Sequence, residues 1–572
     1  MRGGGDEVIS PSPYHSPPSM FRWFLKKQSL DWRSQLWTIS SVSIAVLVAS
    51  PILFVLSSIF FDASEVWQHL AETVLFRYVR NSFILILGVG VGVTTIGVGT
   101  AWLVTACRFP KVRLFEWALL LPMAAPAYVL AYTYTDFLEF SGPVQRLLRE
   151  LFGWEYGDYW FPNIRSIGGA IALLTLTLYP YVYMLARVAF LEQSVCTLEA
   201  SRVLGCNPWR SFATVALPLA RPAIAAGTAL ALMETLNDFG TVQYFGVDTF
   251  TTGIYRTWFS MGERIAATQL AAFLLLFIFG LLLLERWSRR QAAYYQTTAS
   301  FQQPPSYPLY GLRAFGALVA CSLPVIFGFL MPGGVLLVMS IERWRETFDD
   351  RFWDFARHSL ILASLTAALG AIVALILAYG VRLNPSTWMR GALRVAALGY
   401  AIPGSAIAVG VLVPAGAFDN ALDRWMTDTF GISTGLLLSG TVAILIFAYL
   451  VRFLAVSLSS VESSLGKIAP SLDEASRSLG YTPFATLLHV HVPMLWGGLL
   501  TAAMMVFVDV MKELPATMVV RPFNFDTLAV RVYNLAADER LAEASGPALA
   551  LVVVGMIPVI FLSWRIARSR SR

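Results

Sequence analysis

Four carboxylates in this sequence stand at spacings that suit a charged ligand: Glu234 with Asp238, and Asp509 with Glu513. Each pair is four residues apart, so on a continuous helix its members share one face. Carboxylate oxygens are the donors that hard, highly charged cations favour, and four of them converging would serve such an ion. Uncompensated, they would repel one another and take up protons, and Lys512 is placed to offset part of that charge. Counting from Pro218 or Pro493, Glu234 and Asp509 lie 16 residues along a helix, about 24 Å at the usual rise. That puts them in the outer half of a bilayer, with Asp238 and Glu513 near its outer surface. Acids at such depth cost about 2.5–3.5 kcal/mol each on insertion scales and generally face an interior cavity. The competing reading is that Asp238 and Glu513 cap helix ends or meet a partner at the interface.

Other reactive side chains form no cluster. Cys107, Cys196, Cys206 and Cys321 have no CxxC spacing and sit in or beside apolar runs, as small buried hydrophobes do. The five histidines do not make a ligand set, although His489 and His491 share one polar loop. No metal site is assigned. The sequence lacks the G-x-x-x-x-G-K-[ST] phosphate loop: Gly466-Lys467 is followed by Ile468 and has no glycine at the required position upstream. Any ATP hydrolysis must therefore sit on another chain. The run Gly88-Val89-Gly90-Val91-Gly92 lies inside an apolar segment, where close helix packing explains it better than a nucleotide loop.

The elements that position these residues are membrane helices. Of 572 residues 56% are hydrophobic and only 14% charged, where a soluble chain carries about a quarter. Mean hydropathy is +0.63. About twelve apolar segments are long enough to span a bilayer, with cores near 36–59, 82–106, 114–134, 167–190, 218–240, 266–285, 314–340, 358–381, 393–415, 434–457, 493–517 and 546–566. The fold expected is all-α and polytopic.

No cleavable signal is evident, since the first apolar run begins only near Leu36. Before it, residues 1 to 20 are rich in Gly, Ser and Pro, and Phe21–Lys27 mixes aromatics with basic charge as an interfacial segment or a solvated tail would. Lys and Arg concentrate at the N-terminus, in the 107–113 loop, in the segment after Arg286 and at the C-terminus. The positive-inside rule puts these, and both termini, in the cytoplasm.

The chain is also a repeat. Glu199 recurs 275 positions later as Glu474, and the same offset carries Gly205 to Gly480, Pro208 to Pro483, Pro218 to Pro493, Glu234 to Asp509 and Asp238 to Glu513. Two parallel six-span halves, 34–290 and 313–572, follow a tail (1–33) and are joined by a linker (291–312). Their pseudo-two-fold axis runs along the membrane normal, and a pathway on it is lined by equivalent positions of both halves.

The repeated polar loops read as exposed helical elbows on the cytoplasmic face. Ser471 with Glu474 fits a capping box, Gly480 closes the first short helix, and Thr482-Pro483 starts the second. Gly205 and Asn207-Pro208 repeat the pattern, with Cys196 in the capping position.

Glu199-Ala200 with Gly205 and Pro218, and Glu474-Ala475 with Gly480 and Pro493, resemble the EAA loop of ABC importer permeases of the type I fold. The stretches Glu234–Thr241, Asp509–Thr517 and Arg521–Ala529 are more similar still to the fused ferric-iron permeases, whose relatives carry thiamine, sulfate, polyamines and phosphonates. The resemblance implies a multi-pass protein of the bacterial inner membrane whose elbows dock on a cytoplasmic ATPase dimer. An extracytoplasmic binding protein would deliver substrate. ATP and Mg2+ would belong to the ATPase, this chain carrying no cofactor of its own and meeting lipid but no nucleic acid.

The outer segments Asp248–Arg264 and Arg521–Glu543, with Tyr255, Arg256, Trp258, Arg531, Tyr533 and Asp538, suit either docking of that binding protein or headgroup anchoring. An ion-driven secondary transporter would also use repeats but leaves the elbows unexplained. A membrane-embedded enzyme would need a reactive cluster that the sequence does not offer.

Overall fold

The computed structural model describes residues 32–155, 157–193, 201, 203–205, 207–290 and 307–569. The N-terminal tail, Cys196, Glu199, Ala200, Cys206 and most of the expected linker lie outside the described residues.

The helices that carry the architecture are, in order, α1 (Trp32–Ser57), α2 (Leu75–Ala106), α3 (Val112–Ala118), α4 (Ala127–Leu138), α5 (Ile167–Leu191), α6 (Leu217–Asn237) and α7 (Arg264–Arg290) in the first half. The second half has α8 (Gly311–Val325), α9 (Asp350–Leu383), α10 (Thr387–Ala396), α11 (Gly404–Phe430), α12 (Val442–Leu465), α13 (Ser471–Ser478), α14 (Val492–Lys512) and α15 (Leu541–Ser569). Among the described residues eleven helices are long and apolar enough to cross a membrane, and one further pair, Val112–Ala124 with Ala127–Phe152, is bent by 89°.

That bend corrects the straight span expected at 114–134, and the span expected at 393–415 is broken in the same way. Pro126 and Pro403 have no N–H to donate and push the preceding residue out of the helical region. Ala125 and Ile402 are accordingly extended, with ψ of 126° and 131°. Beyond the break α11 continues to Phe430, well past the expected end of that span at 415, and stops at Gly431 with φ +68°.

Within the first half, the packing of α2 on α5 depends on small residues. A methyl built on Gly92 would lie 2.5 Å from Thr175 Oγ1, and one on Gly97 2.7 Å from Val182 Cβ. The glycine run is thus a helix-packing surface. Between halves the first helices are exchanged. α1 lies against α10 and α11, with the Pro51 carbonyl beside Gly410 and Trp37 edge-on to Tyr379. The π-helical turn after α8 reciprocates: Tyr134 Oη of α4 donates to the Phe327 carbonyl at 2.5 Å, and Gly328 sits on Pro122. The only strand pairing among the described residues joins Cys107–Arg108, after α2, to Tyr307–Pro308, before α8. Cys321 is fully buried, and burial pushes the Cys107 thiol up to about 11, so both behave as the small hydrophobes expected.

Candidate functional site

A cavity of about 160 Å³ lies where the halves meet. Its walls come in repeat-related pairs, among them Met123 with Tyr400, Thr177 with Arg452 and Asn237 with Lys512. All four carboxylates singled out in the sequence, Glu234, Asp238, Asp509 and Glu513, line it.

The two acids of a pair do not share a helix face, however. α6 ends at Asn237 and α14 at Lys512, and the next residues, Asp238 and Glu513, are extended with ψ of 128° and 120°. Each then caps the short helix that follows. Asp238 accepts from the Thr241 and Val242 amides at 3.1 Å and from Thr241 Oγ1 at 3.0 Å; Glu513 accepts from the Ala516 amide at 3.0 Å. Nor do they sit at an exposed outer surface, since the chain turns back and leaves Glu513 only 5% exposed. Asp238 and Glu513 thus cap helices and also line the cavity.

Arg452, on α12, was not singled out in advance. Its Nη1 lies 2.8 Å from Glu513 Oε1, and Lys512 Nζ lies 3.7 Å from Asp509 Oδ1. An arginine inside an apolar span was the available signal, because such a charge needs an interior partner. Tyr128, Tyr181 and Tyr400 add phenol oxygens to the lining. Among the described residues no three His, Cys, Asp or Glu side chains are grouped closely enough to hold a metal ion. The cavity lining thus combines carboxylate and phenol oxygens.

The second elbow is described in full. Gly480 has φ +82°, and Gly205 in the first elbow +80°, the left-handed conformation that closes a helix. Thr482 Oγ1 accepts from the Ala485 amide at 3.3 Å, and Asn207 Oδ1 from the Arg210 amide at 2.8 Å, so both second arms are capped as expected. The capping box at Ser471 does not form. α13 begins after Pro470 with no side-chain cap. Asp473 takes Arg382 Nε at 2.8 Å and His491 Nε2 at 2.6 Å, while Arg382 Nη1 and Nη2 reach the carbonyls of Leu465 and Ile468. This network holds the elbow against the end of α9. Repeat-related hydroxyls tie the arms together in both copies, Ser201 to Ser211 at 2.8 Å and Ser476 to Thr486 at 2.7 Å. Glu474, Ala475, Pro218 and Pro493 are exposed, and apolar side chains stand out at both knuckles: Val203, Leu204 and Trp209 in one, Leu479 and Phe484 in the other.

The second arm of each elbow does not stop before the membrane, where a separate span was expected. It runs through a π-helical turn, Phe212–Ala216 or Leu487–His491, into α6 or α14, giving unbroken helices Trp209–Asn237 and Pro483–Lys512. The widened turn leads into Pro218 and Pro493, which cannot donate to the preceding turn. Each helix carries an elbow at one end and its cavity acids at the other.

Residues 24–292 match the family of the binding-protein-dependent transport system inner membrane component. The chain is 25% identical to the Fe(3+)-transport system permease protein FbpB 2 of Haemophilus influenzae, over 90% of this chain and 96% of that one. The first half of the chain is thus similar to the binding-protein-dependent transport permeases, and nearly the whole chain to a ferric-iron permease. The ferric transport system permease protein FbpB of Actinobacillus pleuropneumoniae is 23% identical over 91% of this chain and 77% of its own. The molybdenum transport system permease protein ModB of Escherichia coli is 31% identical over 26% of this chain and 62% of its own.

On the face opposite the elbows this permease differs from expectation. Tyr255 is buried, its ring 3.7 Å from that of Phe239 and its hydroxyl donating to the Pro515 carbonyl across the junction. Tyr533 and Trp258 are half-buried. Within Asp248–Arg264 and Arg521–Glu543 the exposed aromatics are Phe259 and Phe523, the latter 94% exposed on a turn closed by the Arg521–Asp526 ion pair.

Proposed function

We propose that this permease is the membrane subunit of an ATP-driven importer carrying ferric iron into the cytoplasm of a bacterium. An extracytoplasmic binding protein delivers the ion to the face opposite the elbows, and a separate ATPase dimer grips the loops around Glu199–Gly205 and Glu474–Gly480. The observation that carries the reading is the pair of continuous helices with an exposed elbow at one end and cavity carboxylates at the other. At 1.5 Å per residue each runs roughly 45 Å, so closing the ATPase moves the acids directly. The lining favours a cation, because four acids outnumber Arg452 and Lys512. Hard ferric iron prefers the carboxylate and phenol oxygens found there.

The full similarity to ferric permeases supports iron over molybdenum, for which the similarity covers 26% of the chain. The test is uptake of radiolabelled ferric iron into proteoliposomes holding the complete complex, comparing wild type with Gly205→Asp/Gly480→Asp. ATP-dependent uptake abolished in the variant is expected. Iron uptake absent from a wild-type complex that still hydrolyses ATP would move the substrate to another ion or small molecule.

A further inference from the structure

The repeat makes the backbone of the cavity symmetric, but its charge is one-sided. The first half contributes Glu234 and Asp238 and no cation; Thr177 and Asn237 occupy the positions of Arg452 and Lys512. A third difference makes room for the arginine. Gly404, the first residue of α11, corresponds to Ala127. A methyl on Gly404 would stand 2.1 Å from Arg452 Nη1 and 2.6 Å from Glu513 Oε1, closer than real atoms approach. Arg452 and Glu513 are both buried, with side chains 7% and 4% exposed. No partner for Arg452 Nε is found among the described residues, so this guanidinium is committed to Glu513 without being fully satisfied. Tyr128 lines the same cavity with a buried hydroxyl that has no partner among the described residues.

We infer that Arg452 is a built-in counter-cation that keeps Glu513 from the transported ion, so that Glu234 and Asp238 of the first half hold a multivalent cation loosely enough to release it. Removing the arginine charge turns a transit cavity into a trap. A transporter needs this, because a site presenting four free carboxylates would retain a trivalent ion. Glycine at 404 then leaves the space that seats the ion pair, and the first half needs none because its threonine carries no charge.

The inference rests on the cavity being the cation's path, and the experiment separates the two. The purified full-length permease would be titrated with terbium(III), a hard trivalent ion whose luminescence is sensitised by nearby tyrosine, in wild type, Arg452→Gln, Arg452→Lys, Gly404→Ala and Glu234→Gln. Arg452→Gln and Gly404→Ala should bind terbium about tenfold or more tightly than wild type. Arg452→Lys should stay close to wild type, and Glu234→Gln should bind more weakly. In the complete complex Arg452→Gln should lower both KM and kcat for ferric uptake, the signature of a retained substrate. Weaker binding in Glu234→Gln with no tightening in Arg452→Gln or Gly404→Ala would overturn the role of Arg452 alone. Indifference of terbium binding to all four substitutions would overturn the cavity as the path itself. If Arg452→Gln does not fold, Gly404→Ala decides, since it separates the pair while leaving both charges in place.

Discussion

Asp473 sits between Arg382 of α9 and His491 at the foot of α14, one carboxylate oxygen for each. In the first half the corresponding positions are Leu198, Thr105 and Ala216, so no such ion pair can form there. The ring cluster of Trp102, Phe190 and Phe212, with centroids 4.8–6.3 Å apart, packs beside that elbow instead. Asp473→Ala would leave His491, which is fully buried, and the guanidinium of Arg382 without their shared acceptor. A destabilisation of about 1–3 kcal/mol follows from an unsatisfied buried polar group, read as a lower melting temperature of the detergent-solubilised permease. The complex should keep part of its ATP hydrolysis and lose most of its uptake, because the elbow would no longer be held against α9. Full uptake at wild-type stability would show that the ion network is ornamental. The His489/His491 pair looked inert in the sequence because no ligand spacing surrounds it. Its partner lies 18 residues upstream across an elbow whose geometry only the fold supplies.

The elements divide clearly into those legible in the sequence and those that were not. Span number, the elbows with their glycines and second-arm caps, and the packing role of Gly88–Gly92 follow from apolar run length, turn chemistry and small-residue spacing, all local signals. The broken spans at Pro126 and Pro403, the continuity of elbow and membrane helix, and the burial of Tyr255 were not legible, because each depends on what the segment packs against. Pro126 and Pro403 break their spans just ahead of α4 and α11, yet Pro180, Pro222 and Pro414 lie inside helices that continue. Hydropathy cannot tell these apart. The α2–α5 contact gives a sharp test of the packing account. A methyl built on Gly97 would meet the Val182 side chain at 2.7 Å and the Tyr183 backbone nitrogen at 2.9 Å, the second of which cannot swing away. Gly97→Leu should cost about 1–3 kcal/mol or more by overpacking, whereas Gly99→Leu, with nothing within 4 Å, should cost far less. Thermal denaturation of the two variants side by side measures the difference, and equal losses would count against close packing of α5 on the glycine-bearing face of α2.

At the scale of the whole molecule, two sequence repeats have become one interlocked body whose halves are alike in backbone and unlike in charge. Each half's first helix lies on the other half, so the repeat boundary in sequence is not a boundary in space. Exchange of this kind buries α1 against α10 and α11, and sets Gly555 of α15 on the Ala124 carbonyl of the first half. Cutting the chain near residue 299 would leave α1 without its neighbours in one fragment and α8 in the other, each with an apolar face and no mate. Lipid tails satisfy such faces in part, but close contacts such as Pro51 with Gly410 have no counterpart there. Residues 1–298 and 299–572 expressed together should therefore associate, co-purify and recover ATP-dependent uptake with the partner subunits, while neither fragment alone should melt cooperatively. The parallel pairing of Cys107–Arg108 with Tyr307–Pro308 would persist across the cut and help align the fragments. Independent cooperative melting of either fragment would mean that the exchanged helices add little to stability. Failure of well-folded fragments to associate would place the force holding the halves together in the covalent linker instead.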